Sequence, residues 1–352
     1  MIRIGWAALA GAAGLAVLAL GLEAAGYDAP SALTALWNGA FGSWYAFTSA
    51  TLVRSVPLIL IGLGIAIAFR GGVLNIGAEG QFYAGAIAAT WVGLHVAGRP
   101  SALAIVMVLI ASVLAGAAWV AVPVWLKLRF GVIEVISTLL LNFVAESLVS
   151  LLVQGPLQEH TGIYPQSDAI ADAARLPLFG GSRLHAGFLL ACASALVLWY
   201  LFSKTLWGFR LRAVGLGPRA AEVSGRIDSS RIGAVALLCS GCFAGLAGGV
   251  EVSGVSYALF QNLSPGYGFT GIAVALLGGL HPLGVLFSGI FMGALEAGAG
   301  AMQRDAGVPS VAVYVVEAVI IIVALLATTP KGGWIPVRVI RRTRPAPLKA
   351  PR

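Results

Sequence analysis

The residues with the most chemistry in this sequence are carboxylates and amides set inside apolar runs. The stretch RGGVLNIGAEGQFYAG, 70–85, carries Asn75, Glu79 and Gln81 among five glycines, between two hydrophobic segments. In EVISTLLLNFVAE, 134–146, the residues Glu134, Thr138, Asn142 and Glu146 recur at every fourth position, which gathers them on one face of a helix. Glu251 closes the glycine-rich run GCFAGLAGGVE. Charged groups at membrane depth are costly, so such residues face protein or a water-filled path and not lipid. Two chemistries suit them: walls of a polar route for a solute, or carriers of a proton or ion at Glu79, Glu146 or Glu251. For Arg70 and Glu79 the simplest expectation is an ion pair that fixes the turn between two helices.

Catalytic signatures are missing. CSGC at 239–242 has C-x-x-C spacing but lies within a hydrophobic helix, where Cys239 and Cys242, like Cys192, read as small apolar filler. His95, His160, His185 and His281 are scattered without metal-ligand spacing. No G-x-x-x-x-G-K-[ST], G-x-S-x-G or H-E-x-x-H occurs. Neither a catalytic residue nor a cofactor nor a metal is expected, and the chain does not hydrolyse ATP through a phosphate loop of that kind.

The elements that must position these groups are membrane helices. The 352 residues are 59% hydrophobic and only 10% charged, with mean hydropathy +0.92, whereas a soluble domain carries about 25% charged residues. Apolar stretches of roughly 20 residues argue for helices and against a barrel, and 46 glycines suit close helix packing. The pattern predicts an all-α integral membrane protein with about ten spans, near 4–22, 52–69, 78–97, 101–126, 132–153, 186–202, 232–252, 267–280, 283–302 and 311–328. Residues 1–22 read as a retained first helix, since the apolar run is longer than that of a signal peptide. With both termini cytoplasmic, 17 of the 22 Lys and Arg residues fall inside, so the net charge of +8 is a topology signal and not a nucleic-acid footprint.

The whole of 1–352 reads as one transmembrane domain with its core at 50–328. The segment 154–185 is an external loop, either a docking surface or a connector. The basic tail 329–352 is a solvated cytoplasmic anchor near lipid. Trp37, Trp44 and Tyr45 suit an interfacial position. The cytoplasmic segment 203–231 contains PRAAEVSG, 218–225, a short helix opened by Pro218 and closed by Gly225. It is either an anchored connector or a lever for a motor subunit.

GQFYAGAIAA, 80–89, aligns with GYGFTGIAVA, 266–275: glycines match at 80/266 and 85/271, and Tyr83 pairs with Phe269. In the predicted topology the two run in opposite directions, an inverted repeat of helices 2–5 and 7–10, which puts a substrate route beside glycine-interrupted helices. Asn142 and Glu251 are the candidate pore-lining groups of such a route.

FRGGVLNIGAEGQ, LKLRFGVIEVISTLLLNFVAE, LRAVGLGPRAAEVSG and GYGFTGIAVALLGGLHPLG resemble permease subunits of bacterial ABC importers, the branched-chain amino acid and simple-sugar group. The N-I-G-x-E-G-Q at 75–81 is similar to the nucleoside branch. The resemblance covers 50–328. It implies a multi-pass permease of the bacterial cytoplasmic (inner) membrane that imports a small polar solute, a nucleoside or else a simple sugar. The residues read as its substrate pathway are Asn75, Glu79, Gln81, Asn142, Glu146, Glu251 and Phe269, and for a nucleoside Gln261 and Asn262 join Asn142, Glu251 and Phe269 as candidate contacts. A coupling helix would lie at Pro218, Arg219, Ala220, Ala221, Glu222 and Gly225. The implied partners are a cytoplasmic ATP-binding subunit, a second homologous permease subunit in a heterodimer, and an extracytoplasmic substrate-binding protein. An ion-coupled secondary transporter or a membrane receptor is the rival reading, and the coupling-type loop argues against both.

Overall fold

The computed structural model describes residues 19–225 and 227–309, together with Val315, Ala318 and Ile322. Most of the expected first span and of the last span at 311–328, together with Arg226 and the basic tail, lie outside the described residues. Among the described residues the chain is helical, and pairing of extended segments is limited to two isolated bridges, Gln166 with Phe260 and Leu178 with His185.

Helix α1 spans Ala29–Phe41, α2 Trp44–Arg70, α3 Ala78–His95, α4 Ser101–Phe130, α5 Glu134–Val153 and α6 Gly187–Lys204. They are followed by α7 Leu206–Leu216, α8 Pro218–Gly225, α9 Ser229–Ser256, α10 Tyr267–Leu277 and α11 Pro282–Asp305. Six of these, α2, α4, α5, α6, α9 and α11, are long and apolar enough to cross a membrane. Helix α2 begins earlier than the apolar run suggests, through a π-helical turn at Phe47–Leu52.

Burial sorts the helices into layers. The apolar window of α2 is 89% buried and that of α4 is 22% buried. A helix apolar on every side belongs in the middle of a bundle, and α2 packs against α9, α10 and α11. On α4 and α5, Leu103, Ile110, Leu114, Leu140, Phe143 and Leu151 remain exposed, as expected of a surface that meets lipid.

Glycines let the inner helices touch backbone to backbone. A Cβ on Gly85 of α3 would come 2.1 Å from the Gly245 carbonyl oxygen of α9, and one on Gly116 of α4 would come 2.3 Å from the Gly241 carbonyl oxygen. The GCFAGLAGGVE run is thus a packing face towards α3 and α4.

The expected span at 267–280 is shorter than predicted. Helix α10 has 11 residues, about 16 Å of helix against the ~30 Å of a hydrocarbon core. It stops at Gly278, and Gly279 and Leu280 follow with φ +61° and +57° before α11 starts at Pro282. The chain enters α10 from 257–266, which turns back into the protein; Tyr257, Asn262 and Gly266 have φ +57°, +59° and +101°. Helix α3 is reached in the same manner through 71–77 from the other end of the bundle. The two helices begin inside the protein and run in opposite directions.

Candidate functional site

The seven residues NIGAEGQ hold the start of α3, and several reach different helices. Asn75 and Gln81 exchange amide hydrogen bonds: Asn75 Nδ2 donates to Gln81 Oε1 at 2.8 Å and Gln81 Nε2 donates to Asn75 Oδ1 at 3.0 Å. Asn75 Nδ2 also donates to Ser240 Oγ of α9 at 2.8 Å, and its Oδ1 accepts from Gly77 N–H at 3.0 Å. Gly77 lies against Thr138 of α5, where a Cβ would come 2.7 Å from the Thr138 Cβ. Gly80 N–H donates to Asn142 Oδ1 at 2.8 Å, while Asn142 Nδ2 donates to the Ile76 carbonyl at 2.9 Å.

Glu79 is 2% exposed and does not pair with Arg70. Its Oε2 accepts from the Gly268 N–H in the first turn of α10 at 2.6 Å. The carboxylate lies in the first turns of both α3 and α10, where unpaired N–H groups and both helix dipoles favour a negative group. The expected ion pair fails because the Gly268 N–H donor satisfies Glu79 instead. The Arg70 guanidinium instead stacks over the Phe202 ring, 4.7 Å from its centroid.

The polar stripe of α5 divides into two parts. Glu134 forms an ion pair with Lys127 at 2.9 Å, Thr138 donates to the Glu134 carbonyl at 2.7 Å, and Asn142 clamps the start of α3. Those three are structural bonds. Glu146, one turn further, is exposed and lines a cavity of about 300 Å³ with Tyr83, Ser147, Val149, Ser150, Gln261 and Asn262. Gln261 Nε2 donates to Ser150 Oγ at 2.6 Å, and the Ser264 N–H donates to the Tyr83 hydroxyl at 3.3 Å.

Of the residues expected in a pathway, Asn75, Glu79, Gln81 and Asn142 therefore form one buried cluster and Glu146 lines the cavity beside it. Glu251 is buried at the far end of α9, where Arg54 and Arg183 direct positive charge towards it. Phe269 is exposed on α10. Neither is among the cavity walls. Tyr83, Ser147 and Ser150 were not among the expected contacts. Ser150 continues the fourfold spacing of the stripe by one more step, so the sequence did carry a signal for it.

Helix α8 has the bounds expected from the sequence, with Pro218 at its start and Gly225 at its end. Arg219, Ala220 and Glu222 are exposed and Ala221 is buried; Ser229 Oγ donates to the Glu222 carboxylate. Leu216 and Val223 are each 91% exposed, so this short helix is flanked and tipped by apolar side chains with nothing over them in the described residues. Before α8, Gly215 of α7 lies on the turn that leads to α3. A Cβ there would come 2.1 Å from the Arg70 carbonyl oxygen.

The segment 154–186 straps the opposite end. Ser167, Ile170 and Leu176 donate backbone N–H bonds to the carbonyls of Leu259, Tyr257 and Ser253, each at 2.8 Å, and the Arg175 guanidinium stacks 4.8 Å from the Tyr257 centroid.

Residues 47–325 match the family described as branched-chain amino acid transport system / permease component. The chain belongs to this permease family. A guanosine ABC transporter permease protein of Bacillus subtilis is 39% identical over 88% of this chain and 89% of its own length. A glucose ABC transporter permease protein of Haloferax volcanii is 35% identical over 96% of this chain and 91% of its own. A second guanosine permease protein of B. subtilis is 29% identical over 82% of this chain and 94% of its own. The permease is a multi-pass membrane subunit that moves solute and is not an enzyme, as expected from the sequence. It works within an ABC system, with an ATP-binding subunit and a substrate-binding protein. That membership answers the ion-coupled reading.

Proposed function

We propose that this permease carries a nucleoside inward across a bacterial cytoplasmic membrane. The observation that carries the reading is the polar cavity at Glu146. A carboxylate and two serines on the side of a helix otherwise covered with Phe143, Leu140 and Leu151 cannot face lipid. They face water and a second permease subunit, homologous to this one, across the route. Two different guanosine permease proteins of one organism resemble this chain, which supports a heterodimeric pair.

The direction of α3 against α10 supports an inverted repeat of the second to fifth and the seventh to tenth expected spans, 52–153 and 232–328, in a ten-span chain with both termini cytoplasmic. The connections at 70–77 and 203–231 are then cytoplasmic and 154–185 is external, in line with the positive-inside bias. The core 50–328 and the tail 329–352 keep the roles expected from the sequence.

The binding protein docks over 154–185 and releases solute above Glu146. ATP-driven closure of the motor subunits moves α8, with Pro218, Arg219, Ala220, Ala221, Glu222 and Gly225 in the motor's groove. Gly215 passes that motion to the Arg70 turn, and the turn moves the Asn75–Gln81 cluster that anchors α3 to α5, α9 and α10. The permease contributes differential stability of two packings and no bond chemistry. Glu251 and Phe269 lie further along the route.

A simple sugar is the second reading, favoured by the glucose permease relative of nearly full coverage. Uptake of tritiated guanosine and of labelled glucose by cells with and without the gene separates the two. Gene-dependent guanosine uptake supports the proposal. Gene-dependent glucose uptake with no nucleoside uptake overturns it.

A further inference from the structure

We propose that Glu146 selects the solute by accepting two adjacent N–H donors, so that the cavity prefers a guanine-type nucleoside without phosphate. The inference rests on the nucleoside reading above and follows from the hydrogen-bonding capacity left on the cavity walls. Ser150 Oγ already accepts from Gln261 Nε2 at 2.6 Å and from Gln154 Nε2 at 2.9 Å. Both of its lone pairs are occupied, so its O–H is turned outward as a donor. The Tyr83 oxygen accepts from Ser264 N–H, which leaves the phenolic proton to give. Gln261 has one N–H committed to Ser150 and retains its carbonyl oxygen as an acceptor. Ser147 Oγ donates to the Phe143 carbonyl at 2.7 Å and so presents lone pairs to the cavity.

Glu146 makes no hydrogen bond or ion pair among the described residues, and an ionised carboxylate only accepts. The walls carry one negative charge and no cation. From this side of the route a phosphate is therefore repelled, which disfavours a nucleotide. The hydroxyl donors and acceptors of Ser150, Tyr83 and Gln261 suit a ribose.

The carboxylate decides among the bases. Guanine offers N1–H and the 2-amino group side by side, one donor for each oxygen, in the bidentate geometry that makes charge-assisted bonds strong. Hypoxanthine keeps only the first donor. Adenine and cytosine set a ring-nitrogen acceptor beside their amino group, and uracil flanks its N–H with two carbonyls. Each of those would place a lone pair against a carboxylate oxygen, and leaving a polar group of a site unpaired is what discriminates most strongly between ligands.

The substitution Glu146→Gln replaces two acceptors by one acceptor and one donor, which matches the adenine and cytosine edges instead. Because Glu146 is exposed and holds no structural bond, the variant does not disturb the fold. The test is equilibrium dialysis of tritiated guanosine, inosine and adenosine against the complete importer in nanodiscs without its binding protein. The wild type should rank guanosine over inosine over adenosine. Glu146→Gln should weaken guanosine about 10- to 100-fold, the equivalent of losing one charge-assisted bond, and raise adenosine above guanosine. Unchanged affinities, or an equal loss for all three nucleosides, overturn the role of Glu146 and leave the nucleoside reading standing when cells still take up guanosine. Absence of any nucleoside uptake by wild-type cells overturns both.

Discussion

The Glu79 carboxylate accepts the backbone N–H of Gly268 at 2.6 Å across 189 residues of sequence. This bond joins the starts of α3 and α10, two helices that begin inside the protein and point to opposite ends of it. Glu79→Ala leaves that N–H without its acceptor in a dry site, which costs about 1.5–3 kcal/mol. We expect a lower melting temperature in mild detergent for Glu79→Ala and a smaller loss for Glu79→Gln, which retains an acceptor oxygen. Equal melting of all three proteins would show that the bond does not hold the two helices.

The contact of Gly85 with Gly245 tolerates no side chain. A Cβ 2.1 Å from a carbonyl oxygen forces α3 and α9 apart, and overpacking of this kind costs about 1–3 kcal/mol. Gly85→Ala should reduce the yield of folded permease, read by size-exclusion chromatography of a fluorescent fusion. Gly98→Ala is not a useful control because Gly98 has φ +76°; Gly21→Ala, with open space around it, should leave the yield unchanged.

Coupling can be broken at two separable places. Val223, 91% exposed at the tip of α8, should lose the ATP-binding subunit when changed to Asp, measured by co-purification. Gly215→Ala should keep the subunit and its ATP hydrolysis but reduce uptake several-fold, because the added carbon displaces α7 from the Arg70 carbonyl. Normal uptake by Gly215→Ala would remove α7 from the path of the motion.

Acid should loosen the 154–186 strap. His185 is fully buried beside Gly254, its Nδ1 accepts the Gly187 N–H at 3.2 Å, and burial pushes its pKa down to about 4 from an ordinary 6.5. The unfolded chain then binds the extra proton first as pH falls. The contribution of neutral His185 is complete above pH 6.5 and is lost progressively down to pH 4, on the order of 3 kcal/mol in total. The melting temperature of the wild type should fall across that window, and His185→Gln should flatten the fall. Parallel curves would assign the acid sensitivity elsewhere.

Much of this architecture was legible in the residues themselves. The fourfold spacing of Glu134, Thr138, Asn142 and Glu146 gave one face of α5, and Pro218 with Gly225 gave the bounds of α8. The glycine matches between 80–89 and 266–275 picked out the two helices whose first turns meet. Three features were not legible, each for its own physical reason. The partner of Glu79 is a backbone N–H far along the chain, while Arg70 was the nearest cation in sequence, and pattern reading favours neighbours. The length of α10 is set by the positive-φ turn at Gly279 and Leu280, which hydropathy does not register. Within the stripe, spacing grouped four side chains but could not tell that Asn142 is consumed by Gly80 and Ile76 while Glu146 stays open.

The most direct test of the account is nucleoside import by proteoliposomes holding the permease pair, the ATP-binding subunit and the binding protein. Accumulation of guanosine that requires ATP on the motor side, and that is lost with Val223→Asp, is the predicted result. Accumulation that proceeds without ATP, or a complex that hydrolyses ATP while moving no nucleoside, would contradict it.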